Sequence, residues 1–351
     1  MILGIHHITM ICGDAQRTVD FYTKVLGLTL VKKTVNFDAT DTYHLYFGDE
    51  VGRPGTLLTF FEWPDMPKGR WGIGTTHHLA LIVESRDAQL KWKRWLSDQG
   101  VRVTGPYNRQ YFQSIYFRDP DGLILEIATR HPGWTVDEPE DQLGKNVILP
   151  ANELTAKGRD ENAVKALTWP EPVERISEEM KLTGLHHITA ISSDIFRTTD
   201  FYIDVLGFTV VKRTFNYDDP PWPHLYYAVG DYSPGTVVTY FGYSAATMRY
   251  GTMGRGLTHH FAFAVKDEES QLEWRERLRA KAIYVTEVLD RKYFKSVYFK
   301  DPDGHILEIA TVGPGFLVDE AKDELGRTLS LPHWLESQRS HIERELKPLR
   351  I

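Results

Sequence analysis

Four double histidines stand out in the chain: His6-His7, His77-His78, His186-His187 and His259-His260. Each opens a short apolar run, as in Gly4-Ile5-His6-His7-Ile8-Thr9 and Thr258-His259-His260-Phe261-Ala262. Imidazole is a common ligand for iron and neighbouring transition metals, and four such openings are too regular for core filling. Two other runs each enclose a lone acid, Glu126 in Leu123-Ile124-Leu125-Glu126-Ile127-Ala128 and Glu308 in Ile306-Leu307-Glu308-Ile309-Ala310. A buried carboxylate without a cation is costly, so each is expected to be ion-paired (Glu308 with Arg291, for example) or metal-bound. Two neutral imidazoles and one carboxylate, leaving open positions on one side, form the facial triad of non-heme Fe(II) oxygenases.

The elements that must position these residues repeat. Thr18 recurs as Thr198, Asp20 as Asp200, Phe21-Tyr22 as Phe201-Tyr202 and His44 as His224, at an offset of 180. From the second double histidine onward the offset is 182, so that Asp119-Pro120-Asp121-Gly122 returns as Asp301-Pro302-Asp303-Gly304. Each half divides again. A strand over 3–11 precedes a helix from Asp14, a good N-cap, to Val25, ended by Gly27. Strands follow at Leu28–Val35, Tyr43–Phe47 and Thr56–Phe61. The same order restarts at His77, with a helix over Arg86–Asp98 and strands near Val101, at Tyr111–Phe117 and at Leu123–Ala128. The expected fold is α+β: four βαβββ modules in two tandem halves, with curved mixed β-sheets forming a metal-binding cavity. Residues 1–136 and 183–332 make the N- and C-terminal domains. Residues 137–182 are an acidic connector, and 333–351 a helical tail with Leu335, Ile342, Leu346 and Leu349 on one face.

Strand alternation assigns faces. His259 shares a side with the bulky Phe261 and Phe263, which should meet the helices. His260 shares the other with Ala262 and Ala264, where a cavity fits. His7 with Thr9, His78 with Ala80 and His187 with Thr189 follow the same parity. Alternation therefore turns His6 and His259 away from the ligand side. Aligning Gly55 and Gly235 with Gly122 and Gly304 places Thr59 and Thr239 where Glu126 and Glu308 stand. A four-ligand site needs a second carboxylate there; this chain offers threonine, so three protein ligands are expected.

Composition narrows the classes. The 351 residues carry a formal charge of −7 with no basic patch, which argues against nucleic acid as a partner. No stretch is apolar enough to span a bilayer and no leader is readable at Met1. The single cysteine, Cys12, reads as a small residue ending a buried strand and suits a reducing cytoplasm. The tail helix is compatible with a homo-oligomer.

Double-histidine βαβββ modules ending in Asp-Pro-Asp-Gly-x-x-x-Glu resemble the vicinal oxygen chelate superfamily over nearly the whole chain. More narrowly, His6-His7-Ile8-Thr9, His259-His260 and the spacing of Arg291, Tyr298 and Glu308 resemble the hydroquinone ring-cleaving dioxygenases, chlorohydroquinone 1,2-dioxygenases among them. The resemblance implies Fe(II) at His7, His260 and Glu308, a donor set that also accepts Mn(II). It implies an aromatic diol and O2 as reactants. His6 and Thr9 would contact substrate, while His259, Arg291 and Tyr298 would be catalytic. His259 is the expected acid–base group, Arg291 the stabiliser of anionic oxygen and Tyr298 a hydrogen-bond donor. Aromatic walls are expected from Phe60, Trp222, Tyr240 or Phe294. If all ligands lay in the C-terminal half, as in many catechol-cleaving relatives, His187 would replace His7. By pseudo-symmetry His78, His187 and Glu126, with Arg109 and Tyr116, form a second constellation, either a second metal site or a relic filled by water and ion pairs, with a relic or a nonproductive site expected. The competing classes are a glyoxalase-type isomerase or lyase, disfavoured by Thr59 and Thr239, and a metal-free binding protein, which has no need of the triad.

Overall fold

The computed structural model describes residues 1–351. Module 1 holds β1 (Gly4–Cys12), α1 (Ala15–Asp20), β2 (Thr29–Asn36), β3 (Ala39–Gly48) and β4 (Leu57–Glu62). The Asp14 carboxylate accepts the Arg17 N–H, as the capping signal requires. The helix then widens into a π-turn over Phe21–Val25 and stops at Gly27, whose φ of +69° suits glycine. Module 2 holds β5 (Thr76–Val83), α2 (Arg86–Asp98), β6 (Thr104–Asn108), β7 (Gln113–Arg118) and β8 (Ile124–Thr129). The strand expected near Val101 begins instead at Thr104: Val101 still closes the end of α2, its N–H bonded to the Leu96 carbonyl. A connector bearing α3 (Glu161–Ala166) leads to module 3, with β9 (Leu185–Ser192), α4 (Ile195–Asp200), β10 (Thr209–Phe215), β11 (Pro223–Ala228) and β12 (Val237–Gly242). Module 4 holds β13 (Thr258–Val265), α5 (Glu268–Ala280), β14 (Leu289–Asp290), β15 (Lys295–Lys300) and β16 (Ile306–Thr311), and α6 (Arg339–Glu345) lies in the tail.

The modules join crosswise. One eight-stranded sheet runs β14-β15-β16-β13-β1-β4-β3-β2 and the other β10-β11-β12-β9-β5-β8-β7-β6. Module 1 therefore completes module 4, and module 2 completes module 3, through antiparallel seams β1–β13 and β5–β9. The halves 1–136 and 183–332 are repeats of sequence; each continuous sheet draws on both.

The two faces of each sheet separate as alternation requires. Phe261 and Phe263 enter a core cluster of 56 buried residues with the helical Trp92 and Trp274. Ala262, Tyr46 and Phe294 belong to a small cluster on the opposite face of the first sheet, and Ala80, Phe112 and Tyr226 to its counterpart on the second. Cys12 is fully buried and burial pushes its thiol up to about 12, leaving it an inert end to β1.

A further repeat escapes the sequence reading. Asp137-Glu138 in the connector and Asp319-Glu320 after β16 stand 182 apart, and each pair grips a fully buried lysine on the far edge strand of its sheet. Lys212 Nζ lies 2.6 Å from Asp137 and 2.5 Å from Glu138, and Lys32 Nζ 2.8 Å from Asp319 with Glu320 beside it. A buried ammonium needs such partners. Short bridges between Val147 and Arg213, and between Lys33 and Leu329, continue the straps. The tail then returns Leu335, Ile342 and Leu346 to the main core. No helix is long and apolar enough to cross a membrane.

Candidate metal centre

The seams decide how the double histidines are aimed. Along β1 and β13, Ile5 faces Phe263 and His7 faces Ala262, so His6 is an extra residue with no partner. Thr9 faces His260 and Met10 faces Thr258, which makes His259 the extra residue on β13. His77 and His186 are extra in the same way at the β5–β9 seam. Each double histidine is thus a β-bulge, and a bulge re-aims side chains that simple alternation would oppose. The expectation that His6 and His259 face away from the ligand side is corrected: His6 Nδ1 lies 2.9 Å from His7 Nδ1, and His259 Nδ1 2.7 Å from His260 Nδ1.

These contacts fix a proton arrangement. His6 Nε2 is 3.2 Å from the Thr311 carbonyl oxygen, which can only accept. Burial, with the neighbouring His7, pushes His6 down to about 3, so it is a neutral imidazole. Its single proton therefore sits on Nε2, and its Nδ1 accepts from His7 Nδ1–H. A neutral His7 then carries its lone pair on Nε2. That lone pair points at Glu308 Oε2 at 3.3 Å, and His260 Nε2 lies 3.0 Å from the same oxygen. Glu308 Oε2 is buried and has no hydrogen-bond donor, while Oε1 accepts from the Ser296 hydroxyl. The donor set fits a divalent metal: two imidazole nitrogens and a carboxylate oxygen converge within 4.8 Å.

The structure thus brings His7, His260 and Glu308 together, all buried. His187 lies in the other sheet, where it converges with His78 and Glu126. Tyr298 stands across the strand pair from Glu308, its ring edge-on to His260 with centroids 5.4 Å apart. Burial raises its phenol further, so it stays a proton donor. Arg291 does not pair with Glu308; its Nη1 reaches Asp38 Oδ2 at 3.2 Å and its guanidinium lies 5.5 Å from the Tyr298 ring. Burial opposes the Arg291 charge, but Tyr298 and Asp38 outweigh it and hold the guanidinium protonated. His259 is pushed down to about 3 by burial and by His260.

Thr59 occupies the position that mirrors Glu308: it pairs with Thr9 on β1 as Glu308 pairs with Ala262 on β13. Its hydroxyl shares hydrogen bonds with Thr9 at 2.8 Å and His44 Nε2 at 2.9 Å, and Tyr46 closes the chain on His44 Nδ1 at 3.0 Å. His44 and Tyr46 were missed as site residues. Their only sequence signal was the repeat His44-Leu45-Tyr46 and His224-Leu225-Tyr226, which carries no direction. Of the expected walls, Phe294 lines the cavity 5.2 Å from His7, joined by Phe61. Phe60 and Tyr240 are corrected: both lie in the main core, because each follows the inward Thr59 or Thr239 by one residue and alternation turns it over. Trp222 stacks on Tyr243 at the rim of the other sheet. The cavity measures about 30 Å³.

His259→Phe keeps the ring volume against Phe61 and Trp63 but frees His260 Nδ1. Outer partners of this kind are worth about 10–100-fold in metal affinity. Fe(II) titration should show a loss in that range with an unchanged melting temperature; equal affinity would remove the hydrogen bond from the site's design.

Two tandem-repeat sheets, each seamed from two βαβββ modules around a two-histidine, one-carboxylate cluster, define a protein of the vicinal oxygen chelate class. The chain belongs to the Glyoxalase/Bleomycin resistance protein/Dioxygenase superfamily, whose profile matches residues 4–127 and 184–309. It is 33% identical over 347 residues to MhqA of Bacillus subtilis (strain 168), assigned by name as a ring-cleaving dioxygenase, covering 99% of this chain and 98% of that protein. It is 29% identical to the chlorohydroquinone/hydroquinone 1,2-dioxygenase of Sphingobium indicum, over 98% of this chain and 95% of that one. A crystal structure of an assigned dioxygenase from Bacillus subtilis superposes with a TM-score of 0.80 at 33% identity, covering 99% and 98% of the two chains. Glyoxalase I from Zea mays, at 17% identity and a TM-score of 0.59 over 88% and 92%, shares the fold. The full-length likeness places the chain with the ring-cleaving dioxygenases, as an enzyme of that group.

Proposed function

We propose that the chain is a non-heme Fe(II)-dependent ring-cleaving dioxygenase that opens a hydroquinone-like aromatic diol with O2 at His7, His260 and Glu308. The observation that carries this reading is the convergence of His7 Nε2 and His260 Nε2, at 3.3 and 3.0 Å, on Glu308 Oε2, a buried oxygen with no hydrogen-bond partner. Bound there, Fe(II) supplies adjacent open positions for the diol and O2 and a route for charge between them. The protein's share is positioning and electrostatics. Arg291, held protonated, stabilises the deprotonated diol oxygen, and Tyr298 donates a hydrogen bond to oxygen developing charge beside His260. Phe294 and Phe61 flank a planar ring, and the Thr9–Thr59–His44–Tyr46 chain holds the far wall. His259, expected as the acid–base group, is here a positioning residue: held neutral and bonded to His260, it sets that ligand's tautomer. His6 does the same for His7, and Thr9 acts through Thr59. A cavity of 30 Å³ has room for only a water or two, so diol entry requires a wall to move. Arg291 closes that wall, its guanidinium paired with the exposed Asp38 and set against the Tyr298 ring.

Oxygen uptake by anaerobically Fe(II)-loaded protein, offered hydroquinone and then catechol, tests the reading. Uptake of one O2 per diol with hydroquinone is expected. Metal-loaded protein that consumes no oxygen with either diol would transfer the site to isomerase or lyase chemistry.

A further inference from the structure

We infer that the sheet of modules 2 and 3 carries a second metal ion, bound by His78, His187 and Glu126 and reached from solvent through a cationic, aromatic-lined cleft. The sequence left a second metal site open beside a relic or a nonproductive site; the geometry favours the metal site. All three side chains are buried and their ligand atoms converge within 4.8 Å, as in the first cluster. Glu126 Oε2 lies 2.9 Å from His78 Nε2 and 3.5 Å from His187 Nε2, and it has no hydrogen-bond donor. Its other oxygen accepts from Ser114, as Glu308 accepts from Ser296. The outer histidines repeat too: His77 and His186 are the bulged residues, each with Nδ1 2.8 Å from the Nδ1 of its ligand neighbour. His186 lies against the Thr129 carbonyl as His6 lies against that of Thr311. Thr189 Oγ1 lies 3.0 Å from His78 Nε2, and the fully buried Glu126 carboxylate set between the two imidazoles is expensive unless a cation joins them.

What distinguishes this cluster is access. Each cluster opens on a cavity of about 30 Å³, but at the second one His78, Arg109, Tyr116 and Phe241 also line a cleft of about 820 Å³. The cleft is walled by Tyr107, Tyr116 and Phe241 and carries four arginines, Arg102, Arg109, Arg118 and Arg159, against two aspartates, Asp119 and Asp218. Asp218 is held between Arg109 and Arg159 at 2.6 and 2.5 Å, and Arg159 stacks over Tyr107 at 4.1 Å. Arg159 comes from the connector, a segment in which sequence alone showed no chemistry. Aromatic walls with a positive excess suit an aromatic anion too large for the first cavity.

The experiment counts metal in the full chain after anaerobic Fe(II) loading and desalting, for the natural sequence and for Glu126→Gln and Glu308→Gln separately. Two ions per chain falling to one in each variant is the expected result. One ion per chain, retained in Glu126→Gln and lost in Glu308→Gln, would overturn the second site and leave the proposed dioxygenase site standing. Loss only in Glu126→Gln would do the reverse. His78→Gln is the alternative variant should Glu126→Gln not fold. For the cleft, Co(II)-loaded Glu308→Gln protein is titrated with 2,5-dihydroxybenzoate, a hydroquinone bearing a carboxylate. Its visible bands should shift, and unchanged bands would overturn the assignment of an aromatic anion to the cleft.

Discussion

Glu308→Gln should abolish diol-dependent oxygen uptake and lower Fe(II) affinity by more than about 100-fold, beyond what loss of an outer-sphere partner costs. The side chain is fully buried, so no solvent rearrangement softens the change. Glutamine keeps the volume and can still meet Ser296, but it removes the negative charge that offsets a divalent ion. It does more than weaken binding. An amide NH2 in place of Oε2 would sit about where that oxygen sits, 3.3 Å from His7 Nε2 and 3.0 Å from His260 Nε2, and could donate to their lone pairs. The cluster would then satisfy itself without metal. The metal-free variant should therefore melt no lower than the metal-free natural protein, because a buried carboxylate facing lone pairs has been replaced by a hydrogen-bonded amide. Metal content, oxygen uptake and thermal unfolding of both proteins check this together. Full iron occupancy with normal turnover would refute the assignment of Glu308.

Thr59→Glu should have the opposite effect on metal and the same effect on oxygen chemistry. Thr59 is the residue on β4 that mirrors Glu308 on β16, and it is fully buried beside Thr9 and His44. A carboxylate there adds a fourth protein donor on the face that the diol and O2 need. Metal should be held as tightly or more tightly, while oxygen uptake falls by at least about 100-fold, a barrier increase of about 2.7 kcal/mol. The companion change Thr239→Glu, in the other sheet, should leave hydroquinone-dependent uptake at the first cluster in place. Uptake that survives Thr59→Glu despite bound metal would mean that the open positions lie elsewhere. Thr59→Gln, without the charge, separates a blocked coordination position from a merely crowded cavity.

Much of the site could be read directly. The helix over Arg86–Asp98 and the Asp14 cap fall where their signals lie, since both depend on neighbours within a turn. The opposition of Phe261 and Phe263 to Ala262 follows from the pleat. The same pleat, applied from Thr59 and Thr239, would have sent Phe60 and Tyr240 to the core and brought Phe61 to the cavity. His44 was out of reach: its imidazole matters because β3 lies beside β4, placing His44 against Thr59.

Local pattern and internal repetition thus determined the four modules, the identity of the converging histidines and glutamates, and the threonine that replaces a fourth ligand. Tertiary structure alone decided which modules pair. It joined His7 to His260 across 253 positions of chain and His78 to His187 across 109. It also decided that His6 and His259 touch their ligand neighbours, because a bulge belongs to the register between two strands and is not written in either one. The cleft beside His78 also belongs to the closed chain, since the connector brings Arg159 into it from far away in sequence. Side-chain parity is a property of one strand and can be read along it. Pairing, bulges and cavities are properties of two or more segments, and they exist only once the chain has closed on itself.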